Sequence, residues 1–252
     1  MRILLVNDDG FHAKGFDVLR KIAADLSDDV WCVAPERDQS GQAHSLTLNQ
    51  PLRVRQVDEK NFMLHGTPTD CVIMGVRELM PSPPDLILSG VNEGQNAAND
   101  VTYSGTAAGA MEGAILGIPS IALSQRVDWT KSRDAIHWHT ALAHAPALIN
   151  KLLASKFDTS TFININFPNC APEEMAGIEV VPQGILDHEI DAEKRQDGRG
   201  IDYYWLTFLS GALLSNYQSD ISVLRENKIS LTPMKPDYTD HKALEKLKSI
   251  LT

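Results

Sequence analysis

Two adjacent carboxylates follow a short apolar run at the start of the chain. The run Ile3-Leu4-Leu5-Val6 ends at Asn7-Asp8-Asp9-Gly10. A continuous apolar run of this length is typical of a parallel strand buried on both faces, and open α/β sheets bind ligands at the carboxyl ends of such strands. The pair Asp8 and Asp9 therefore predicts either a site for a hard cation or a structural cap on the following helix.

Further oxygen donors follow two other predicted strands. Ser40 lies in a long polar loop, residues 36–45, and Asn92 follows the apolar stretch DLILS. Carboxylate, hydroxyl and amide oxygens suit Mg²⁺, Ca²⁺ or Mn²⁺ better than zinc or copper. We expect these oxygens to meet Asp8 and Asp9 at one edge of the sheet, which predicts a divalent-cation site.

A second candidate site is the tripeptide Ser104-Gly105-Thr106, which precedes a predicted helix of small residues, 107–116. Free backbone N–H groups at a helix start bind anions, and a glycine there allows close approach. The pattern predicts a phosphate-type site or an ordinary helix cap. His44 lies in the same loop as Ser40 and is predicted either to contact substrate or to cap its own loop.

Composition limits the classes of partner. The chain has 252 residues and a net charge of −10, which argues against a broad nucleic-acid-binding surface. No apolar run approaches the ~20 residues needed to cross a bilayer, and the early acids interrupt any signal-peptide pattern. The cysteines are scattered at positions 32, 71 and 170, which is typical of a reducing compartment. We therefore expect a cytoplasmic protein that binds neither membranes nor nucleic acids.

The elements that would position these residues alternate between strands and helices. Strands are predicted at 3–6, 30–34, 52–57, 62–64, 85–89, 118–123 and 162–167, and helices at 14–26, 68–79, 107–116 and 132–153. An extended loop is expected at 90–103. This alternation predicts an α/β fold with a doubly wound, mainly parallel sheet. Residues 162–167 are predicted to be the last strand of the core.

The pattern changes after Pro168. Strands are predicted at 177–182 and 203–208, a hairpin-like pair at 221–224 and 228–232, and an amphipathic helix at 239–251. Because this part is poor in apolar residues, it needs a partner to be stable. The predicted division is therefore a catalytic domain at 1–168 and a β-rich C-terminal extension at 169–252.

Long segments of the sequence resemble the SurE family of metal-dependent nucleotidases and phosphatases. The matching segments are VNDDG, APERDQSGQAHSLT, GTPTDCV, SGVNEGQNAANDVTYSGTAAGAMEGAILGIPSIALS, RGIDYYW and ISLTPMKPDYTDH. Together they cover nearly the whole chain. Two positions depart from the family pattern: Gly198 stands where a proline is usual, and Asn227 stands where a glycine is expected.

The resemblance implies a role for each matching position. It implies that Asp8, Asp9, Ser40 and Asn92 bind one divalent metal ion per subunit, Mg²⁺ or Mn²⁺, and that Asn96, Ser104, Gly105 and Thr106 contact phosphate. Asp8, Asp9 and Asn96 would be the catalytic residues. It also implies a Rossmann-like domain and a C-terminal part that exchanges arms between subunits, giving a homodimer or homotetramer.

The activity implied by the resemblance is hydrolysis of nucleoside 5′- and 3′-monophosphates, with some action on short polyphosphate. The nucleophile would be a water held by the cation or Asp8 itself. A phosphatase of the haloacid-dehalogenase type needs an Asp-x-Asp arrangement, which Asn7-Asp8-Asp9-Gly10 lacks. The alternative from another class is a nucleotide-binding protein that holds its ligand without turnover.

Overall fold

The N-terminal apolar run forms an inner strand of a large mixed sheet. The computed structural model describes residues 1–187, 190–208 and 211–251. In chain order the strands are β1 (Arg2–Val6), β2 (Asp29–Pro35), β3 (Val54–Gln56), β4 (Asn61–Leu64), β5 (Leu86–Glu93), β6 (Ser120–Gln125), β7 (Phe162–Phe167), β8 (Ile178–Val180), β9 (Leu186–Asp187), β10 (Ile190–Gln196), β11 (Asp202–Phe208), β12 (Ala212–Leu213) and β13 (Ile229–Met234). The α-helices are α1 (Lys14–Ala24), α2 (Pro68–Met74), α3 (Gly105–Ile115), α4 (Trp138–Ala154), α5 (Asp220–Arg225) and α6 (His241–Leu251).

The nine-stranded sheet has the order β3-β4-β2-β1-β5-β6-β7-β13-β8. Its centre is parallel, since β1 pairs in parallel with β2 and with β5, and β5, β6 and β7 continue in the same direction. The chain first runs outward from β1 to β2 and β4, then returns to β5 and runs outward on the other side. The order therefore reverses between β1 and β5, the place where open α/β sheets bind ligands.

Helices cover both faces of the sheet. Alternate residues of β1 point to opposite faces, and because those from Ile3 to Val6 are all apolar, both faces have to be covered. Ile3 and Leu5 belong to the apolar core that packs against α1 and α4. Leu4 and Val6 belong to the core on the other face, beneath α2. All four side chains are fully buried. The predicted doubly wound, mainly parallel α/β fold is confirmed, with additional C-terminal strands.

Several element boundaries differ from the predictions. The expected loop at 90–103 instead continues β5 to Glu93 and later forms a 3-10 helix, Ala98–Tyr103. The long helix starts at Trp138 and not near residue 132, after a separate 3-10 turn at Arg133–Ala135. The predicted helix at 68–79 is present as α2 followed by a π-helical turn, Gly75–Leu79, and Thr67 caps it as expected.

Two predictions, for residues 221–224 and for residues 162–167, are wrong. Residues 221–224 are part of helix α5 and not of a strand, because Ser219 and Ser222 form a capping box at its start. The strand at 162–167 is not the last one of the core, since β13 pairs antiparallel with β7 and β8 pairs with β13. Asn227, one of the departures from the family pattern, has a φ of 55°, a conformation that asparagine adopts more readily than most residues.

The division into residues 1–168 and 169–252 stays a prediction. Strands β8 and β13 extend the main sheet, whereas β10 and β11 form a separate exposed hairpin. Those parts of the predicted extension at 188–189, 209–210 and 252 lie outside the described residues. Within the described chain, no helix combines the length and apolarity needed to span a bilayer.

Candidate active site

The acid pair lies directly after β1, at the point where the strand order reverses. The Asn7 amide donates to the Gly10 carbonyl oxygen over 2.8 Å and closes the turn that carries both acids. Asp8 is almost fully buried. The Asp9 carboxylate accepts a hydrogen bond from the backbone N–H of Glu93, at the end of β5, over 3.1 Å. Asp9 is thus fixed by a backbone group at the end of the neighbouring strand.

The loop after β2 reaches the same place. The Gln39 backbone N–H donates to the Asp8 carbonyl oxygen over 2.8 Å, which brings Ser40 to the edge where the acids lie. Ser40 donates from both its N–H and its hydroxyl to the Asp38 carboxylate, over 2.8 and 2.7 Å. The sequence predictions did not include Asp38, which adds a further negative charge beside the acid pair.

A bulge near the end of β5 presents Asn92 and Glu93 to the site. The pairing of β5 with β6 shifts register between Ser89 and Asn92. Gly90 lies at this irregularity with a φ of 135°, and a Cβ there would come within 2.1 Å of the Leu123 carbonyl oxygen. Only glycine fits such a close approach. The Asn92 amide nitrogen donates to the Gly94 carbonyl oxygen over 2.8 Å, so its amide oxygen is the atom that a cation would use.

The start of α3 contacts Asp8 directly. Ser104 is the N-cap, and its hydroxyl oxygen accepts a hydrogen bond from the Ala107 N–H over 2.9 Å. The Thr106 hydroxyl donates to the Asp8 carboxylate over 2.5 Å. A Cβ on Gly105 would lie 2.8 Å from Asp8 Cβ, so the glycine lets the helix start approach the acid. The predicted cation and anion sites are therefore adjacent.

Most of the predicted residues line one cavity of about 260 Å³. Asp8, Ser40, Asn92, Asn96 and Ser104 all contribute to its wall. Gly105 and Thr106 contact Asp8, and Asp9 is bound to the Glu93 backbone, as described above. Thr106 thus binds Asp8 in this structure, and its contact with phosphate stays a prediction.

Asp8 and Asp9 have raised pKa values. Burial raises the pKa of Asp8, although the Thr106 hydroxyl opposes the shift. Burial and then the charge of Asp8 raise the pKa of Asp9 to about 7. Asp38 raises the pKa of both acids further. Because these neighbours are negative, the site is electrostatically prepared for a cation.

The donor set fits a small hard divalent cation. Two carboxylates, a hydroxyl and an amide oxygen are the ligand types that Mg²⁺ and Mn²⁺ accept, with substrate oxygens and water completing the shell. Within the described chain, no group of three or more His, Cys, Asp and Glu side chains is arranged to hold a metal ion. Neutral oxygens would therefore have to complement the two acids.

His44 lies next to this cavity and not in its wall. Its Nε2 is 2.9 Å from the carboxylate of Glu112, a nearly buried residue of α3. His44 lines a larger neighbouring cavity, of about 740 Å³, and Ser104 is part of the walls of both. Its predicted contact with substrate stays a prediction.

Comparison with known proteins identifies the family. A sequence model described as "Survival protein SurE" matches residues 3–189. Curated proteins named "5'-nucleotidase SurE" from Brucella canis and Brucella abortus are each 55 % identical over 251 residues, covering 100 % of this chain and 98 % of theirs. The chain belongs to the SurE family. A crystal structure of the SurE protein from Aquifex aeolicus has a TM-score of 0.84 and 37 % identity, with 100 % of both chains covered.

This SurE chain supports Asn96 with buried asparagines that the sequence predictions did not include. The Asn96 carbonyl oxygen accepts hydrogen bonds from the amides of Asn164 and Asn166, over 2.8 and 3.1 Å. The Asn96 N–H donates to the Asn166 side-chain oxygen over 2.8 Å, and its own amide donates to Ser124 over 3.0 Å. The sequence offered one indication of these contacts: the apolar strand FININF contains two asparagines, and polar side chains in a buried strand need hydrogen-bond partners.

Asp220 supports the same region from the C-terminal part of this SurE chain. Its buried carboxylate accepts hydrogen bonds from the N–H groups of Ala98 and Gly184, over 3.0 and 2.8 Å. The Asn99 side chain exchanges two hydrogen bonds with the backbone of Leu186. These contacts fix the 3-10 helix that leads into Ser104. They join residues far apart in the chain, so spacing in the sequence gave no signal for them.

Proposed function

We propose that the protein is a divalent-metal-dependent phosphomonoesterase. It hydrolyses nucleoside 5′- and 3′-monophosphates to nucleoside and phosphate, and short polyphosphate is a further substrate. The single observation that carries the proposal is the contact between Asp8 and the start of α3, where Thr106 donates to Asp8 over 2.5 Å. A cation site and a phosphate site that touch are what phosphoryl transfer requires. The names of the Brucella relatives support a 5′-nucleotidase in particular.

Groups at the start of α3 would bind the phosphate. Ser104 uses its oxygen lone pairs for the Ala107 N–H, which leaves its hydroxyl proton to donate to a phosphate oxygen. The Gly105 N–H lies in the first turn of the helix, where backbone donors and the helix dipole favour an anion. Asn96 lines the same cavity and is held by Ser124 and Asn166. These fixed donors would orient the phosphate and neutralise part of its charge.

Asp8, Asp9, Ser40 and Asn92 would hold one Mg²⁺ or Mn²⁺ ion. When bound, such an ion polarises a phosphoryl oxygen and lowers the pKa of nearby water. The Asp38 carboxylate holds Ser40 in place by accepting two hydrogen bonds, one from its backbone N–H and one from its hydroxyl. Thr106 orients the Asp8 carboxylate. The chain thus supplies both the charge and the fixed geometry needed by an ion such as Mg²⁺, which would keep several of its waters.

The test is phosphate release from AMP and GMP. We expect turnover with Mg²⁺ or Mn²⁺, a fall to background after chelation, and full recovery when the metal is restored, because the two acids alone repel the phosphate. Equilibrium binding of AMP is measured on the same samples. Tight binding without metal-dependent turnover would show a nucleotide-binding protein instead, and turnover that survives chelation would refute the metal requirement.

We also propose that the protein is a homodimer or homotetramer joined through its C-terminal part. Every residue of α6 is exposed, although Leu244, Leu247 and Leu251 form one apolar face. The hairpin of β10 and β11 likewise exposes Tyr204, Trp205 and Leu206. Apolar faces of this extent are covered in stable proteins, and a second copy of the chain fits the family resemblance.

Light scattering after size-exclusion chromatography tests the assembly. We expect a dimer or tetramer mass for the full chain, and a shift toward the monomer when Leu247 is replaced by Glu. Lys246→Glu is the control, since Lys246 is exposed on the same helix but lies on the side opposite the three leucines. A monomer mass for the unmodified chain would contradict the proposal. The cytoplasmic location also remains a proposal, supported by three free, buried cysteines.

A further inference from the structure

An exposed tryptophan lies beside the cavity of the candidate active site. Trp129 is 61 % exposed and contributes to the wall of the cavity that contains Asp8 and Ser104. A Cβ built on Gly94 would lie 3.3 Å from Trp129 Cζ2 and 3.8 Å from the Asn92 amide nitrogen. The indole ring is therefore next to the turn that carries Asn92. A single exposed apolar ring is common on protein surfaces, but this one lies in the wall of the candidate active site, where a bound ligand would contact it.

The loop around Trp129 is held by its own hydrogen bonds. The Asp128 carboxylate accepts from the N–H and hydroxyl of Thr130, over 3.1 and 2.6 Å, and the Lys131 N–H donates to the Asp128 carbonyl oxygen. A second aromatic residue, Tyr103, lines the same cavity and is 41 % exposed. Tyr103 precedes Ser104, so one aromatic ring lies on the side of the predicted phosphate site and the other on the side of Asn92.

We propose that Trp129 is the surface on which the nucleobase of the substrate stacks. The inference rests on the proposed function and extends it to the base. A nucleoside monophosphate with its phosphate at the start of α3 has one flat apolar part left to bury, and every nucleobase offers a π face to an aromatic side chain. Stacking of this kind discriminates weakly between bases. The site therefore selects nucleotides over phosphate esters that lack a base.

The test compares AMP with ribose 5-phosphate, which has the same phosphate and sugar without the base. We expect Trp129→Ala to raise KM for AMP about 10-fold with little change in kcat, and to leave both constants for ribose 5-phosphate unchanged. Trp129→Phe keeps an aromatic ring, so its KM for AMP should stay close to that of the unmodified protein. Thr130→Ala is the control for the loop, because it removes a hydrogen bond to Asp128 without removing the indole.

A binding measurement gives a readout independent of turnover. We expect adenosine, which lacks the phosphate that the two acids would repel, to quench tryptophan fluorescence in chelator-treated protein. We expect this quenching to disappear in Trp129→Phe but to persist in Trp205→Phe. Trp205 is similarly exposed, at 59 %, but lies in the β10–β11 hairpin.

Three results would overturn the stacking role while the proposed function stands. They are an unchanged KM for AMP in Trp129→Ala, an equal rise in KM for ribose 5-phosphate, and an equal effect of Thr130→Ala. If the unmodified protein hydrolyses neither ester with Mg²⁺ or Mn²⁺, the proposed function itself fails.

Discussion

Replacing Asp8 by Asn should lower kcat for AMP at least about 100-fold without unfolding the protein. The carboxylate is nearly buried, accepts a hydrogen bond from Thr106, and lies in the wall of the cavity that contains Ser40 and Asn92. An amide keeps the shape of the side chain but removes the charge that would hold the cation. Steady-state kinetics with Mg²⁺ and Mn²⁺ measure the loss, and Asp25→Asn, at an exposed position, is the control.

The same variant should stabilise the metal-free protein at pH 8. The pKa of Asp9 is raised to about 7 by burial and by the charge of Asp8. A carboxyl whose pKa is higher in the folded state binds more protons there than when unfolded, so stability falls as pH rises from about 4 to 7. Because the Asp8 charge is one cause of the raised pKa of Asp9, removing that charge reduces the loss of stability at high pH. Urea unfolding at pH 8 and pH 5 measures it, and a large loss of stability in Asp8→Asn, or full activity, would contradict the assigned role.

Gly105→Ala should reduce kcat about 100-fold, the size of effect expected when reacting groups move by about 1 Å. The added Cβ would lie 2.8 Å from Asp8 Cβ and 2.9 Å from its carboxylate oxygen. Neither atom is at the end of a long flexible side chain, so the start of α3 and Asp8 have to move apart. The overpacking should also lower the free energy of unfolding by about 1–3 kcal/mol. Kinetics and urea unfolding measure the two effects.

The matched control is Gly198→Ala. No atom lies within 4 Å of a Cβ built at Gly198, so the same chemical change meets open space there. We expect its kcat to equal that of the unmodified protein. If Gly105→Ala were equally active, close contact between Asp8 and the helix start would not be required for catalysis.

The residues of the candidate site could be predicted because they follow strand ends. Ile3 to Val6 read as a buried strand, and the rule that ligands bind at the carboxyl edge of a parallel sheet brought Asp8 and Asn92 together in advance. The structure places β1 and β5 side by side, at the point where the strand order reverses. The helix start at Ser104 was also readable, because a capping serine followed by small residues is a local signal.

The supporting residues could not be predicted in the same way. Asn166 forms a hydrogen bond with Asn96, which is 70 residues away in the sequence, and Asp220 forms one with Ala98, which is 122 residues away. Local spacing carries no information on such pairs. Helix α5 was mistaken for a strand because ISVL is rich in β-branched residues, whereas the capping serines and the burial of Ile221 and Leu224 decide the outcome. Trp129 was overlooked since it lies in an irregular loop.

The late position of β13 and Asp220 has a consequence for synthesis on the ribosome. Asp8, Asn96 and Ser104 are translated long before the carboxylate that fixes Ala98 and the strand that covers the free edge of β7. Until then, the nascent polypeptide carries an unpaired strand edge next to Asn164 and Asn166. Full support of the predicted phosphate-binding turn therefore arises only after Asp220 and β13 have emerged, and a product terminated before Asp220 would lack it.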